Sequence, residues 1–317
     1  MRKNYNQLSI EGKIYQSTLE IRTVQNTGSA NYGKEYITGT IDVATSPELD
    51  NIITVHYTYV TTLTKNGSVN RAYAGLKQII DSGKTVTTDG WDEATTVRIQ
   101  TNYAVNDFYP QGQEELVTSP KNEGGFVTIV SNEKSLHPVG DINRNKFTLD
   151  VILNNVTEVV PEEGESYAKI EGIAFDYKNA ILPITLVARN KAAIEYFVGL
   201  DISKNNPVYT KVWGKIINTF VTTEKTVESA FGEATVDTVQ RRVREYVITG
   251  ANPIPYEMGS EDTITVEEFK KAQQDREVYL AEVKRKSEEY WASQSAGGNF
   301  SEAAPAKAAV PKGGFNF

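Results

Sequence analysis

A chain of 317 residues has room for about two domains that each bury a core. With 39% hydrophobic and 23% charged residues it falls within the range of soluble globular proteins, and a net charge of -8 excludes a polyanion binder held by bulk charge, while leaving room for a local basic groove. The lack of cysteine excludes disulfides, thiolate metal sites and cysteine nucleophiles, and the two histidines, His56 and His137, are too few for a histidine metal cluster.

No stretch approaches the ~20 apolar residues of a membrane span, so a soluble cytoplasmic protein without metal or cofactor is expected. The first unit, residues 1–136, opens on strands. Leu8, Ile10, Gly12 and Ile14 alternate with polar neighbours, and the pattern runs on through Leu19, Ile21 and Thr23. Residues 26–33 are a polar, glycine-bearing turn. Ile37, Gly39, Ile41 and Val43 then alternate with Tyr36, Thr38, Thr40 and Asp42. Beyond the break at Ser46 and Pro47, Ile53, Val55, Tyr57 and Tyr59 alternate with Ile52, Thr54, His56 and Thr58. A helix is predicted over 71–82, with Tyr73, Leu76, Ile79 and Ile80 on one face and Gly83 to end it. Strands resume over 95–103 and 125–131. Three strands, a helix and two strands is the order of the OB-fold, a small five-stranded barrel.

A polar connector, 137–146, leads to a second unit, 147–260, in which the same order starts again without any residue-level repeat. Residues 147–160 read as a strand with Leu149, Val151 and Leu153 on one face, and 167–177 with 181–188 as a hairpin around Lys178 and Asn179. A short helix over 191–200 precedes a fourth strand over 209–220 and a fifth over 242–250. The fold expected is therefore mainly β, two tandem OB-fold-like five-stranded barrels. From 263 to 293 the pattern turns helical, opened by a capping box at Thr265 and Glu268. Its apolar stripe of Val266, Phe269, Ala272, Leu280 and Val283 is only partial, compatible with a helix on a barrel, a partner-binding arm or a largely solvated rod. Residues 294–317 lose all periodicity and are expected to be a disordered tail with an aromatic tip at Phe315 and Phe317.

No nucleotide-phosphate loop, zinc-protease, nucleophile-elbow or dinucleotide motif occurs, which lowers the odds of an enzyme. The fourth strand of the second unit is the most informative stretch. Alternation sends Lys211, Trp213 and Lys215 to one face and Val212, Gly214 and Ile216 to the other. An indole between two ammonium groups on an open sheet face suits base stacking with phosphate neutralisation. A Trp packed under a loop with snorkelling lysines fits the same pattern. Arg242, Arg244 and Tyr246 on the fifth strand are expected to join that face. Tyr177 and Lys169 share a face on the second strand with Phe175, which fits the core equally well. In the first unit the outer face is expected to present Tyr36, Thr40 and His56, with Arg98, Gln100 and Asn102 beside them and Lys34 at the border. Threonine-rich outer faces are also ordinary for exposed sheet, so a β-barrel structural or assembly protein is the alternative.

With this order of elements, the 212–216 VWGKI stretch and a tail ending in Phe317, the chain resembles the bacteriophage-encoded single-stranded DNA-binding proteins with tandem OB-folds. The resemblance implies sequence-tolerant, non-enzymatic binding of exposed strands during DNA replication, recombination and repair, with enzymes recruited by the tail tip. The tail departs from the acidic tails of that functional class, since it carries Lys307 and Lys312. Under this reading Trp213, Tyr246, Tyr36 and Tyr177 stack on bases while Lys211, Lys215, Arg242, Arg244, Arg98 and Lys34 meet phosphates. The partner expected is single-stranded DNA, although stacking and phosphate contacts serve RNA as well.

Overall fold

In the computed structural model of the protein, residues 4–131, 133–161, 164–227, 231, 235–260 and 263–295 are described. The first unit contains β1 (Asn6–Ser17), β2 (Glu20–Thr23), β3 (Glu35–Ala44), β4 (Ile52–Thr61), α1 (Arg71–Ser82), α2 (Val86–Asp89), β5 (Thr96–Phe108) and β6 (Val117–Ile129). β1 pairs with both β3 and β5, β3 with β4, and β5 with β6, all antiparallel. A short parallel pairing of β4 with β6, Val55 opposite Asn122, closes five strands into a ring. The helix α1 lies between the third and fourth strands of that ring. Asn70 caps it by accepting the Ala72 N–H at 3.1 Å, and Tyr73, Leu76 and Ile79 are its buried face.

The second unit repeats this circuit with β7 (Asn145–Val159), β8 (Tyr167–Phe175), β9 (Ile181–Ala188), α3 (Lys191–Gly199), β10 (Val208–Val227) and β11 (Thr235–Ala251). Again the first strand pairs with the second and fourth, and the third meets the fifth in parallel, Val187 opposite Val247. Both rings thus have OB-fold topology, and the fold is mainly β with one long C-terminal helix. A final antiparallel pairing of β1 with β7, from Asn6↔Leu149 to Ile10↔Asn145, joins the rings into one eleven-stranded sheet. The inward residues of both rings form one hydrophobic cluster, in which Leu8, Ile10, Val55 and Ile99 of the first meet Phe147, Leu149, Val212 and Leu186 of the second.

Several elements depart from the periodicity. The first strand does not run unbroken to Thr23: it stops at Ser17, and β2 starts again at Glu20. The break lies where the β3–β4 ladder shifts register between Ile37 and Gly39, and a Cβ on Gly39 (φ +129°) would come within 2.4 Å of Thr18 O. Only glycine permits that approach with that backbone. β6 starts at Val117 rather than at Gly125, because the chain before Gly125 stays paired to β5 across a bulge. The connector is packed: Arg144 is buried, donating from Nε to Thr45 O at 2.7 Å and from its terminal NH1 to His137 O at 2.6 Å.

The helix α4 (Val266–Ser295) begins with the expected capping box, Thr265 N–H to Glu268 at 2.9 Å and Glu268 N–H to Thr265 Oγ1 at 3.1 Å. Ile264, Phe269 and Ala272 pack on Ile152, Phe175, Ile181 and Tyr209 of the second ring in a separate small core. Further along, Arg276 forks onto Asp107 of β5 at 2.7 and 2.8 Å, and the Trp291 indole N–H donates to Tyr109 O at 3.1 Å. The helix therefore lies on the barrels and ties the second ring to the first. Among the described residues no helix is long and apolar enough to cross a membrane. The predicted tail, with Phe315 and Phe317, lies outside the described residues.

Candidate nucleic-acid interface

Along β10, Val212, Gly214 and Ile216 are buried, whereas Lys211, Trp213 and Lys215 are half-buried on the opposite face. Trp213 pairs across the ladder with Gly250, and a Cβ on Gly250 would sit 2.4 Å from the indole. The ring therefore lies directly against the glycine backbone, held in a fixed pose on the sheet. Lys211 is partly engaged. Its ammonium lies 3.8 Å from the Tyr5 ring centroid and 4.0 Å from Oδ1 of buried Asp150, a carboxylate that also accepts the Tyr5 N–H at 2.8 Å. Lys215 donates to Gly140 O of the connector, with two further N–H groups remaining on the ammonium.

The sheet register extends this face beyond the second ring. Lys215 pairs with Lys146 on β7, Lys146 with Ser9 on β1, Ser9 with Gln100 on β5, and Gln100 with Phe126 on β6. One row up, Trp213 pairs with Thr148 and Thr148 with Gln7. Gln7, Gln100 and Phe126 are exposed, the last at 56%. Phe126 and Lys146 were not foreseen as site residues. The inward phase of Val127 and Ile129 is the signal that puts Phe126 outside.

On the first ring Tyr36 meets Tyr59 with ring centroids 4.6 Å apart and planes tilted by 39°. The periodicity placed Tyr59 inside with Tyr57; instead Tyr57 is buried and Tyr59 is 46% exposed, since β4 carries one extra residue between Tyr57 and Val60 relative to β3, which reverses its alternation. Lys34 is exposed nearby in sequence and donates to Asn31 Oδ1 at 3.0 Å. His56 is half-buried opposite Thr40. Burial, then the charges of Lys121 and Arg244, push its pKa below the ordinary histidine value, so it is a neutral contact at neutral pH.

Four expectations need correction. Arg242 and Arg244 do not share the face of Trp213: they pair with Phe220 and Asn218, even-numbered residues on the other side of β10. There Arg244 donates to Pro120 O at 2.8 Å, and Arg242 donates to Asn218 at 2.8 Å with its guanidinium 5.9 Å from the Phe220 ring. Burial, followed by repulsion from Arg242, lowers the Arg244 pKa. Tyr246, next along that side, is only 3% exposed; its hydroxyl donates to Asn122 at 2.9 Å and its ring meets Tyr103 and Phe147 edge-on, so it is a core residue. Burial pushes its phenol pKa up. Arg98 is committed within the protein, its Nε–H donating to buried Glu11 at 2.6 Å and its terminal NH2 to Ser135 O at 2.9 Å. Tyr177 is 73% exposed on the β8–β9 turn with the Lys178 ammonium 5.3 Å from its ring centroid, and Phe175 is in the core. Among the described residues no group of three or more acidic or histidine side chains is placed to hold a metal ion.

Two OB-type rings fused edge to edge define a tandem OB-fold protein. The chain belongs to the YorF family, whose model matches residues 4–286. No curated protein matches it. Among solved structures it is similar to the single-stranded DNA-binding protein of Thermus aquaticus: the wild type at 9% identity and a TM-score of 0.45, over 81% of this chain and 98% of that chain. A deletion mutant of the same protein aligns at 9% identity and a TM-score of 0.46, over 82% and 98%.

Proposed function

We propose that this protein binds single-stranded DNA, without strong sequence preference and without catalysis, and acts where replication or recombination exposes single strands, in a bacteriophage setting. The observation that carries the reading is the Trp213 indole laid on Gly250 between Lys211 and Lys215, on the outside of an OB-type ring. A ring held by the backbone loses little freedom when a base stacks on it, and stacking contributes about 1–3 kcal/mol per base for any of the four bases. Lysines on either side supply phosphate contacts that make binding sensitive to salt. The net charge of -8 then disfavours non-specific adhesion of a duplex elsewhere on the surface. Tyr36 with Tyr59, bordered by Lys34, offers a further stacking place on the first ring. Recruitment of replication or recombination proteins through Phe315 and Phe317 belongs to the same reading.

The test is a fluorescence-anisotropy titration of labelled oligo-dT beside a duplex of equal length, at low and moderate salt. Salt-sensitive binding of the single strand in preference to the duplex is expected. Failure to bind either at low salt would exclude the reading and favour a structural or assembly role.

A further inference from the structure

The row that begins at Lys215 does not stop at the edge of its own ring. Lys215 and Lys146 are direct cross-strand neighbours, and the ammonium contacts they make are to neutral oxygens, Gly140 O for Lys215 and Asn143 Oδ1 at 3.4 Å for Lys146. Like charges directly opposite each other on a sheet are destabilising, so this pair costs stability in the free protein and gains most from an anion laid between them. Asp141 acts on Lys215 through its field, while its carboxylate accepts the Asn143 N–H at 2.7 Å. From the lysine pair the ladder continues through Ser9 and Gln100 to Phe126, crossing the β1–β7 seam. The row thus has cations at one end, neutral hydrogen-bonding groups in the middle and an exposed aromatic at the other end, with Trp213 one row above the cations. Five strands at about 4.8 Å spacing give a path of about 19 Å.

We propose that one single-stranded polynucleotide crosses the seam along this row, with phosphates at Lys215 and Lys146 and bases stacked on Trp213 and on Phe126, so that the two rings form one site. This rests on the reading of the protein as a single-strand binder. It departs from two barrels that each bind separately across their second and third strands, because the residues come from the first, fourth and fifth strands and from both units. Charge complementarity selects the occupant: a polyanion with unpaired bases satisfies both the facing lysines and the two separated rings.

The experiment uses the full chain and oligo-dT carrying 5-iododeoxyuridine. Ultraviolet crosslinking followed by peptide mapping is expected to label both Trp213 and Phe126. Phe126→Ala should weaken binding by about 5- to 150-fold, the range for losing one stacked base. Lys146→Ala should flatten the slope of log affinity against log salt by about 0.7, the value for one phosphate contact on a single strand. Both side chains lie on the outer face, and a melting temperature no lower than the parent's would confirm that each variant folds. Binding that Trp213→Ala abolishes but Phe126→Ala and Lys146→Ala leave intact, with crosslinks only on the second ring, would overturn the shared path and keep the function. Crosslinks confined to Tyr36 and Tyr59 would overturn it as well. No binding by the unmodified protein would remove both, leaving the face to a protein partner.

Discussion

Where its first strand meets its fourth, each ring sets a charged residue across from a cation, at different places along the two ladders, and the two pairs differ in kind. In the first ring Glu11 of β1 faces Arg98 of β5; in the second Lys146 of β7 faces Lys215 of β10. Glu11 is buried and receives the Arg98 guanidinium at 2.6 Å together with the His137 N–H at 2.8 Å, so that pair is internally neutral. The lysine pair has no carboxylate in direct contact among the described residues, and Asp141 acts on Lys215 only through its field. Counted from the bulge in each first strand, the place in the second ring that corresponds to Glu11 and Arg98 is Asp150 opposite Lys211, again an acid and a cation, so the lysine pair is an addition of the second ring. The difference lies in the residue that the first strand brings across.

The largest effect should come from breaking the neutral pair. Arg98→Ala leaves the Glu11 carboxylate buried without its cation, and a loss of about 2–3 kcal/mol in chemical denaturation is expected, less than for a fully buried pair because Arg98 reaches solvent. A variant as stable as the parent would show that the pair is not structural. Next comes Trp213→Ala, which should lower oligo-dT affinity by about 5- to 150-fold in anisotropy with little change in stability, separating binding from folding.

Lys146→Glu gives the lysine pair the acid-and-cation character of Glu11 and Arg98. It should stabilise the fold by about 0.2–1 kcal/mol in denaturant while weakening oligo-dT binding and its salt dependence, because the ammonium of Lys215 then has an internal partner. Weaker folding together with unchanged binding would contradict the comparison. The smallest effect is on pH. Burial opposes ionisation of Glu11, but the His137 N–H and then Arg98 outweigh it and hold its carboxyl below the ordinary 4.5. The unfolded chain therefore takes up the proton first, so this contribution is fully present above pH 4.5 and is lost as pH falls through the lower folded value. Denaturation midpoints measured through that window should fall less steeply in Arg98→Ala than in the parent.

Much of the architecture was legible because it rests on local periodicity. The alternation of Leu8 to Ile14, the helix face of Tyr73, Leu76 and Ile79, and the capping box at Thr265 all appear in the structure where the pattern put them. The outward face of Lys211, Trp213 and Lys215 was legible for the same reason. The grouping of Arg242, Arg244 and Tyr246 with that face was not. Alternation tells which residues share a side within one strand, but not which sides of two paired strands coincide, and the β10–β11 ladder shifts register between Trp213 and Gly214. Tyr59 was misplaced for a similar reason, because β4 holds one extra residue between Tyr57 and Val60 against Ile37 and Gly39 of β3, which reverses its alternation from there on.

The amino-acid order by itself determined the succession of three strands, helix and two strands, twice over, since side-chain alternation and end caps act between residues a few positions apart. Only the tertiary structure decided which cations are available to a ligand. Arg98 is neutralised by Glu11, 87 residues away, and Tyr246 is buried against Asn122, 124 residues away. Those partners are brought in by ring closure and by the seam. A charge is free or spent according to what lies across the sheet from it, and that distance in sequence carries no local signal.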